Sequence, residues 1–296
     1  MRYKFAVLVL LTLVFTACGP VATAAPTSAP VAATDLPPAT DVLPVSTPSL
    51  PTDVPSTSVP ILYTLNIFAD SSLADLFTDL GGVFEASNPG VAVSFNFDSS
   101  QVLQKQIQEG ASADLFASAD ALDMNALITS GLVDEAAAQI ILSNDLVVIL
   151  PLNNPAGIES LEDLAKPGVR LIVGSEESPI GRNSLLLLDR MDDAFGAGFK
   201  DQALKNVTAN EDNVKLLVSQ IELGEGDAGI VYSSDAFVSS QLSIIDVPLD
   251  LNVAVDYSLA PLTKSANADL ALKFIELILS GQGQEIIQRW GFLPVQ

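Results

Sequence analysis

The chain has 296 residues, with 13 basic against 36 acidic and no histidine. About half the residues are apolar, enough for a sizeable core in one or two domains. So acidic a surface repels nucleic acid and anionic membrane, and without histidine the commonest general base and transition-metal ligand are missing. Cys18 is the only cysteine, which excludes an intrachain disulfide or a thiolate metal cluster.

The first segment reads as an address. Arg2 and Lys4 form a basic start, and Phe5 to Phe15 is an apolar run of 11 residues. A bilayer span needs about 20 residues, so this run has the length of a signal-peptide core instead. Val14-Phe15-Thr16-Ala17-Cys18-Gly19 follows and resembles a bacterial lipobox, with Phe15 where Leu is more usual. By that resemblance residues 1–17 are a lipoprotein signal peptide, and Cys18 carries the lipid that tethers the protein outside the cell membrane. Residues 18–59 are rich in Pro, Thr and Ala, hold no aromatic, and cannot bury enough surface to fold. They read as a semi-extended, disordered tether.

From residue 60 onward strand and helix patterns alternate. Ile61–Phe68 is predicted as a strand, and Ser72–Glu85 as a helix from the spacing of Leu73, Leu76, Phe77, Leu80, Val83 and Phe84. Val91–Phe97 is a strand, Ser100–Glu109 a helix, Asp114–Ala117 a strand and Ala121–Thr129 a helix. Leu146–Leu150 reads as a buried strand, Ser160–Ala165 as a helix stopped before Pro167, Arg170–Val173 as a strand and Asn183–Met191 as a helix. Asp212–Leu223 is helical and closed by Gly224. Ala228–Tyr232, Ser243–Val247 and Val253–Leu262 are strands, and Asn267–Ser280 and Gln284–Trp290 helices. Repeated strand–helix units predict an α/β protein with largely parallel sheets.

In open α/β sheets ligands sit beyond the carboxyl ends of strands, so the strand-to-helix turns carry the interest. Four share a character: Asp70-Ser71-Ser72, Asp98-Ser99-Ser100, Ser178-Pro179-Ile180-Gly181 and Asp212-Asn213-Val214. Ser, Asp and Asn are the preferred N-caps of any helix, so each turn alone reads as a cap. Several helix starts converging on one point, however, make an anion site without any cation, because each has free N–H groups and a partial positive charge. Each hydrogen bond to a charged group contributes roughly 1.5–3 kcal/mol, so six or seven suffice for tight binding.

The chain also resembles a known family. The motifs are Phe68-Ala69-Asp70-Ser71-Ser72-Leu73, Gly110-Ala111 with Ala113 to Asp120, Pro179-x-Gly181-Arg182, Glu211 to Lys215, and Gly229 to Ala236. In this order they are similar to the molybdate-binding proteins of ABC importers. The resemblance implies the type II periplasmic-binding fold, an α/β architecture of two lobes joined by two crossover strands with the ligand in the cleft. Lobe one would span 60–146 and 252–296, and lobe two 147–251. It further implies that molybdate or tungstate is bound as an oxyanion by the hydroxyls of Ser72 and Ser100, the backbone N–H groups of Ile180 and Val214, and the hydroxyl of Tyr232. No cofactor, direct cation ligand or catalysis is expected. The partners would be the permease subunits of an importer, and the protein a monomer.

Asp70 and Asp98 depart from the family pattern, in which Ala, Gly or Ser usually stands. A carboxylate beside a dianion is strongly unfavourable unless protonated or paired. Either Arg182 or Lys215 pairs them, or both point away and cap a turn. The reading has Ser72 and Ser100 aim unpaired donors at a common cavity, and it falls if those two hydroxyls lie far apart or if Asp70 and Asp98 fill the gap between the lobes. Three alternatives stay open. A sulfate or other small-ligand binder would use the same chemistry, a ferric-iron binder would lack histidine, and a surface sensor could share the fold. An enzyme would need a base beside Ser72 or Ser100, and only Lys105 lies near in sequence.

Overall fold

The computed structural model describes residues 62–295. The signal peptide, Cys18 and the tether lie outside these residues. The first lobe opens with three strand–helix units. β1 (Tyr63–Asp70) leads through a 3-10 turn (Ser71–Leu73) into α1 (Ala74–Ser87), β2 (Val91–Asp98) into α2 (Ser100–Gln108), and β3 (Leu115–Ser118) into α3 (Ala121–Thr129). After β4 (Gln139–Asn144) the chain crosses to the second lobe. There it forms β5 (Leu146–Pro151), β6 (Leu171–Gly174), α4 (Pro179–Phe195), α5 (Phe199–Lys205), β7 (Val207–Glu211), α6 (Val214–Glu222), β8 (Ala228–Tyr232), α7 (Ser233–Phe237) and β9 (Leu242–Asp246). It returns through β10 (Val255–Pro261) to α8 (Ala268–Leu279), α9 (Gly281–Arg289) and β11 (Leu293–Pro294).

The first sheet has the order β11-β4-β10-β3-β1-β2 and the second β7-β6-β8-β5-β9. Both are mixed, which corrects the expectation of largely parallel sheets. β1 pairs parallel with β2 and β3, and β6 parallel with β7 and β8, as strand–helix units demand. The strands at the crossovers break the pattern: β10 is antiparallel to β3 and β4, and β5 is antiparallel to β8 and β9. A chain that leaves one sheet and enters another through a single residue, Asp145, has no helix in which to turn back.

Burial explains the elements. β5 is buried at all six positions, the continuous apolar run of a strand covered on both faces. α1 buries Leu76, Phe77, Leu80 and Phe84 along one side, and Phe77 and Phe84 meet Phe274 of α8 edge-to-face. Gly81 lets this helix lie close on β2, because a Cβ there would come within 2.9 Å of the Phe95 ring.

The crossovers are stapled by amides. The Asn252 side chain accepts from Leu146 N–H at 3.0 Å and donates to Leu146 C=O at 2.9 Å, joining the outgoing and returning strands. The amide of Asn144 donates to Ser234 Oγ and accepts from Ser233 Oγ, both at 2.8 Å.

Several elements differ from the sequence reading. The helix placed at Ser72 starts as a 3-10 turn, and Ser160–Ala165 is a 3-10 turn over Leu161–Ala165. The helix placed at Asn183–Met191 begins at Pro179 and ends at Phe195, because Ser178 caps it and proline suits a first turn. Unanticipated are β4, α5, β7, α7 and β11, all short.

Candidate functional site: an anion cradle filled by an aspartate

All four singled-out turns are helix starts in the structure. The Ser178 Oγ accepts from Gly181 N–H at 3.1 Å, and the Asn213 side chain from Lys215 N–H at 2.9 Å. Each cap takes one N–H and leaves the preceding one, Ile180 or Val214, without a partner among the described residues. The parallel pairing of β1 with β2 sets Asp70 beside Asp98 and brings the Ser71–Leu73 turn next to the start of α2.

Ser72 and Ser100 do converge, and they converge on Asp70. Oδ1 of Asp70 accepts from the Ser72 N–H at 3.1 Å and the Ser72 hydroxyl at 2.7 Å. Oδ2 accepts from the Ser100 N–H at 3.0 Å and the Ser100 hydroxyl at 2.6 Å. The Ser100 Oγ in turn accepts from Ala119 N–H at 3.0 Å. Ser72 Oγ lies 2.9 Å from the Tyr257 hydroxyl. Since Ser72 gives its one hydroxyl hydrogen to Asp70, Tyr257 is the donor in that pair. Four donors therefore wrap one carboxylate and two more support the serine hydroxyls from behind, with no lysine or arginine among them.

The second lobe closes the other side. Ile180, Val214 and Tyr232 line a small cavity with Asp70, Ser71, Ser99, Pro179 and Asp212, closed so tightly that it leaves no room for a water molecule. The Tyr232 hydroxyl is buried and finds no hydrogen-bond partner among the described residues. Asp70 thus stands between the residues singled out from sequence: Ser72 and Ser100 spend their donors on its carboxylate, and Ile180, Val214 and Tyr232 line the space beside it. Asp70 neither points away nor meets Arg182 or Lys215, which corrects that expectation. Asp98 is half-buried and accepts from the adjacent Ser99 N–H at 2.8 Å, without capping α2. Sequence reasoning missed Tyr257, which lies 185 positions from Ser72. It also left Asp70's direction undecided, although an acidic residue just before a Ser-Ser cap was its signal.

Arg182 and Lys215 tie the lobes together instead. From α4, Arg182 binds Asp120 and Asp123 at the start of α3, with Nε 2.7 Å from Asp120. From α6, Lys215 reaches Asp75 of α1 at 2.9 Å and Asp235 of α7 at 3.0 Å.

Burial sets the protonation landscape. It pushes the Asp70 carboxyl up from its ordinary value, against the pull of the four hydrogen bonds from Ser100 and Ser72. Asp123 is raised to about 7 by burial and the neighbouring Asp120, and Asp235 to about 6 by burial despite Lys215. Groups raised in the folded state bind more protons there than in the unfolded chain, so stability falls as pH rises from the ordinary carboxylate range, about 4, toward 7. Asp163 and Asp227 are lowered and act with the opposite sign, below that window. The expected result is a higher Tm at pH 5 than at pH 8. A thermal scan across that range giving a flat or rising curve toward pH 8 would contradict the assignment of these buried acids.

Residues 65–293 match the family described as bacterial extracellular solute-binding protein. The chain is a member of that family. A "Molybdate-binding protein ModA" of Mycobacterium tuberculosis is 32% identical over 227 residues, covering 76% of this chain and 83% of the relative. A "Putative ABC transporter substrate-binding lipoprotein YvgL" of Bacillus subtilis is 28% identical over 234 residues, covering 77% and 86%. Among solved structures, the "substrate binding domain of putative molybdenum ABC transporter from Clostridium difficile" is 27% identical with a TM-score of 0.61, covering 79% of this chain and all of that one. The two lobes and two crossovers of this solute-binding protein are those of the type II periplasmic-binding fold. As a solute-binding protein it is a binder and not a catalyst, and Ser72 and Ser100 are not nucleophiles.

Proposed function

We propose that this solute-binding protein is an extracytoplasmic lipoprotein, anchored through Cys18, that captures molybdate or tungstate for an ABC importer. The observation that carries the reading is the seat of the Asp70 carboxylate. An oxyanion already lies on the N–H and hydroxyl donors of Ser72 and Ser100, with only neutral donors around it. Ile180, Val214 and Tyr232 line the space beside Asp70, and their N–H groups and hydroxyl, unpaired among the described residues, are the donors that a tetrahedral ligand needs on its far side. The names of the relatives point to the same ligand class, and the lipobox-like segment supports the anchor. Sulfate shares the tetrahedral dianion chemistry, so a calorimetric panel of molybdate, tungstate, sulfate and phosphate ranks the ligands. Absence of heat with the first two would remove the reading.

Tyr232→Phe gives the sharpest test of the site. Among the described residues the buried hydroxyl makes no hydrogen bond of good geometry, only a loose approach to the Asn183 amide, so its removal leaves stability unchanged or raised by about 1–3 kcal/mol. The same change removes one charge-assisted hydrogen bond from the ligand, which weakens binding about tenfold or more. Calorimetry and thermal unfolding on one sample read both signs. Parent-like affinity in Tyr232→Phe would take the tyrosine out of the site.

A further inference from the structure

Asp70 stands where the proposed ligand must go. Its two oxygens use all four donors of Ser72 and Ser100, and the side chain is only 3% exposed. A dianion and an ionised Asp70 cannot share this cradle: they would claim the same hydrogens, and two like charges in contact without a cation strongly oppose each other. Arg182 and Lys215, at the starts of α4 and α6, are committed elsewhere, to Asp120 and Asp123 and to Asp75 and Asp235.

We propose that Asp70 sets the affinity and pH dependence of the oxyanion site, acting as a tethered competitor that yields the Ser72 and Ser100 donors only when a proton neutralises it. The inference rests on the reading of the cleft as an oxyanion site. It adds that each oxyanion bound takes up one proton. Once neutral, Asp70 no longer repels the ligand, and its carboxylic O–H becomes one more donor toward a ligand oxygen. Anions too weakly held by the remaining donors fail to displace the carboxylate, and the competitor lowers the affinity for every oxyanion by the same factor. The upward push of burial on Asp70 eases the protonation.

Other groups face Asp70 from the packed elements. Asp98 lies alongside on β2, Tyr257 on β10, Tyr232 at the end of β8, Asp212 before α6, and Asp235 on α7 with Lys215 and Asp75 behind it. Asp120, before α3, lies close to Tyr232 with Arg182 upon it. Asp235 itself titrates at about 6, so pH dependence of the parent alone does not identify Asp70. Comparison with a variant that keeps all the others does.

The experiment is calorimetric titration of the purified protein, Asp70→Asn and Asp70→Ala with molybdate over about pH 6 to 8. For one linked proton the parent loses about tenfold in affinity per pH unit. Asp70→Asn and Asp70→Ala bind about 10- to 100-fold tighter than the parent at pH 8 and lose most of that slope. Asp70→Ala guards against a local clash of the Asn amide with the serine donors, and circular dichroism verifies the fold of each. Variants that bind molybdate no tighter than the parent, or with the parent's slope, overturn the competitor. If parent and variants all fail to bind any oxyanion across the range, the oxyanion reading itself falls and the role of Asp70 falls with it.

Discussion

Gly181→Ala is expected to destroy the second lobe's half of the site. A Cβ on Gly181 would lie 1.7 Å from the Ser175 carbonyl oxygen and 2.7 Å from that of Gly174. The converse holds across the contact, where a Cβ on Gly174 would lie 2.3 Å from Gly181 N. The end of β6 and the first turn of α4 therefore touch backbone to backbone. This close approach, not an unusual φ, is what requires glycine. The atoms in the way are carbonyls, which cannot rotate aside as a side chain would. Relief requires α4 to move off β6, which breaks the Ser178 cap and carries Ile180 N–H away from the cavity. A loss of about 4 kcal/mol or more is expected, in the range reserved for steric overpacking of backbone. For a folded body of this size that lowers Tm by roughly 10 °C. Gly82→Ala is the matched control, since its Cβ would meet nothing within 4 Å and alanine favours the interior of α1 by up to about 1 kcal/mol. A Tm for Gly181→Ala within about 2 °C of the parent would mean the two backbones are not in contact.

What the sequence disclosed and what it hid follow one rule. Local chemistry was legible. The 3-, 4- and 7-residue spacing of apolar residues gave α1, and Ser, Asp and Asn after strands marked four helix starts that the structure contains. Features that depend on distant pairing were not legible. Asp70 meets Ser100 because β1 and β2 pair in parallel register over eight residues, and nothing within the Phe68–Leu73 motif states that register. The same holds for Tyr257, delivered to Ser72 by the return strand β10, and for Asn252, which clips the crossovers from 106 positions away. Alternation of strands and helices also overstated parallel pairing, since β5 and β10 carry the apolar pattern of buried strands and nothing in that pattern records direction. β4 escaped notice because only Ile140, Ile141 and Leu142 are apolar in it, and β7 because its alternation of half-buried and exposed residues is that of an edge strand.

The position of Arg182 leads to the second large effect. Its guanidinium, on the second lobe, is the only cation bridging Asp120 and Asp123 of the first among the described residues. Burial and Asp120 already lift Asp123 to about 7 with Arg182 present. In Arg182→Gln the two carboxylates face each other uncompensated, and removing one partner from a buried ionic cluster costs about 3–5 kcal/mol. Two routes relieve that cost: Asp123 takes a proton, or water enters between α3 and α4 as the lobes part. Losing Arg182 raises Asp123 further, so protonation relieves part of the cost even at pH 8 and the opening of the cleft relieves the rest. Because the proposed ligand is held by donors from both lobes, parting them taxes binding by the part of that cost which protonation leaves, about tenfold or more in affinity. Small-angle scattering at pH 8 should therefore show a larger radius of gyration for Arg182→Gln than for the parent, and calorimetry the matching loss of oxyanion affinity. Lowering the pH toward 6 protonates Asp123 and recovers part of both. Adding Asp123→Asn to Arg182→Gln should do likewise at pH 8, since the neutral amide removes the repulsion that opened the cleft. An Arg182→Gln protein with parent dimensions and parent affinity at pH 8 would show that this ion cluster decorates the cleft without holding it shut.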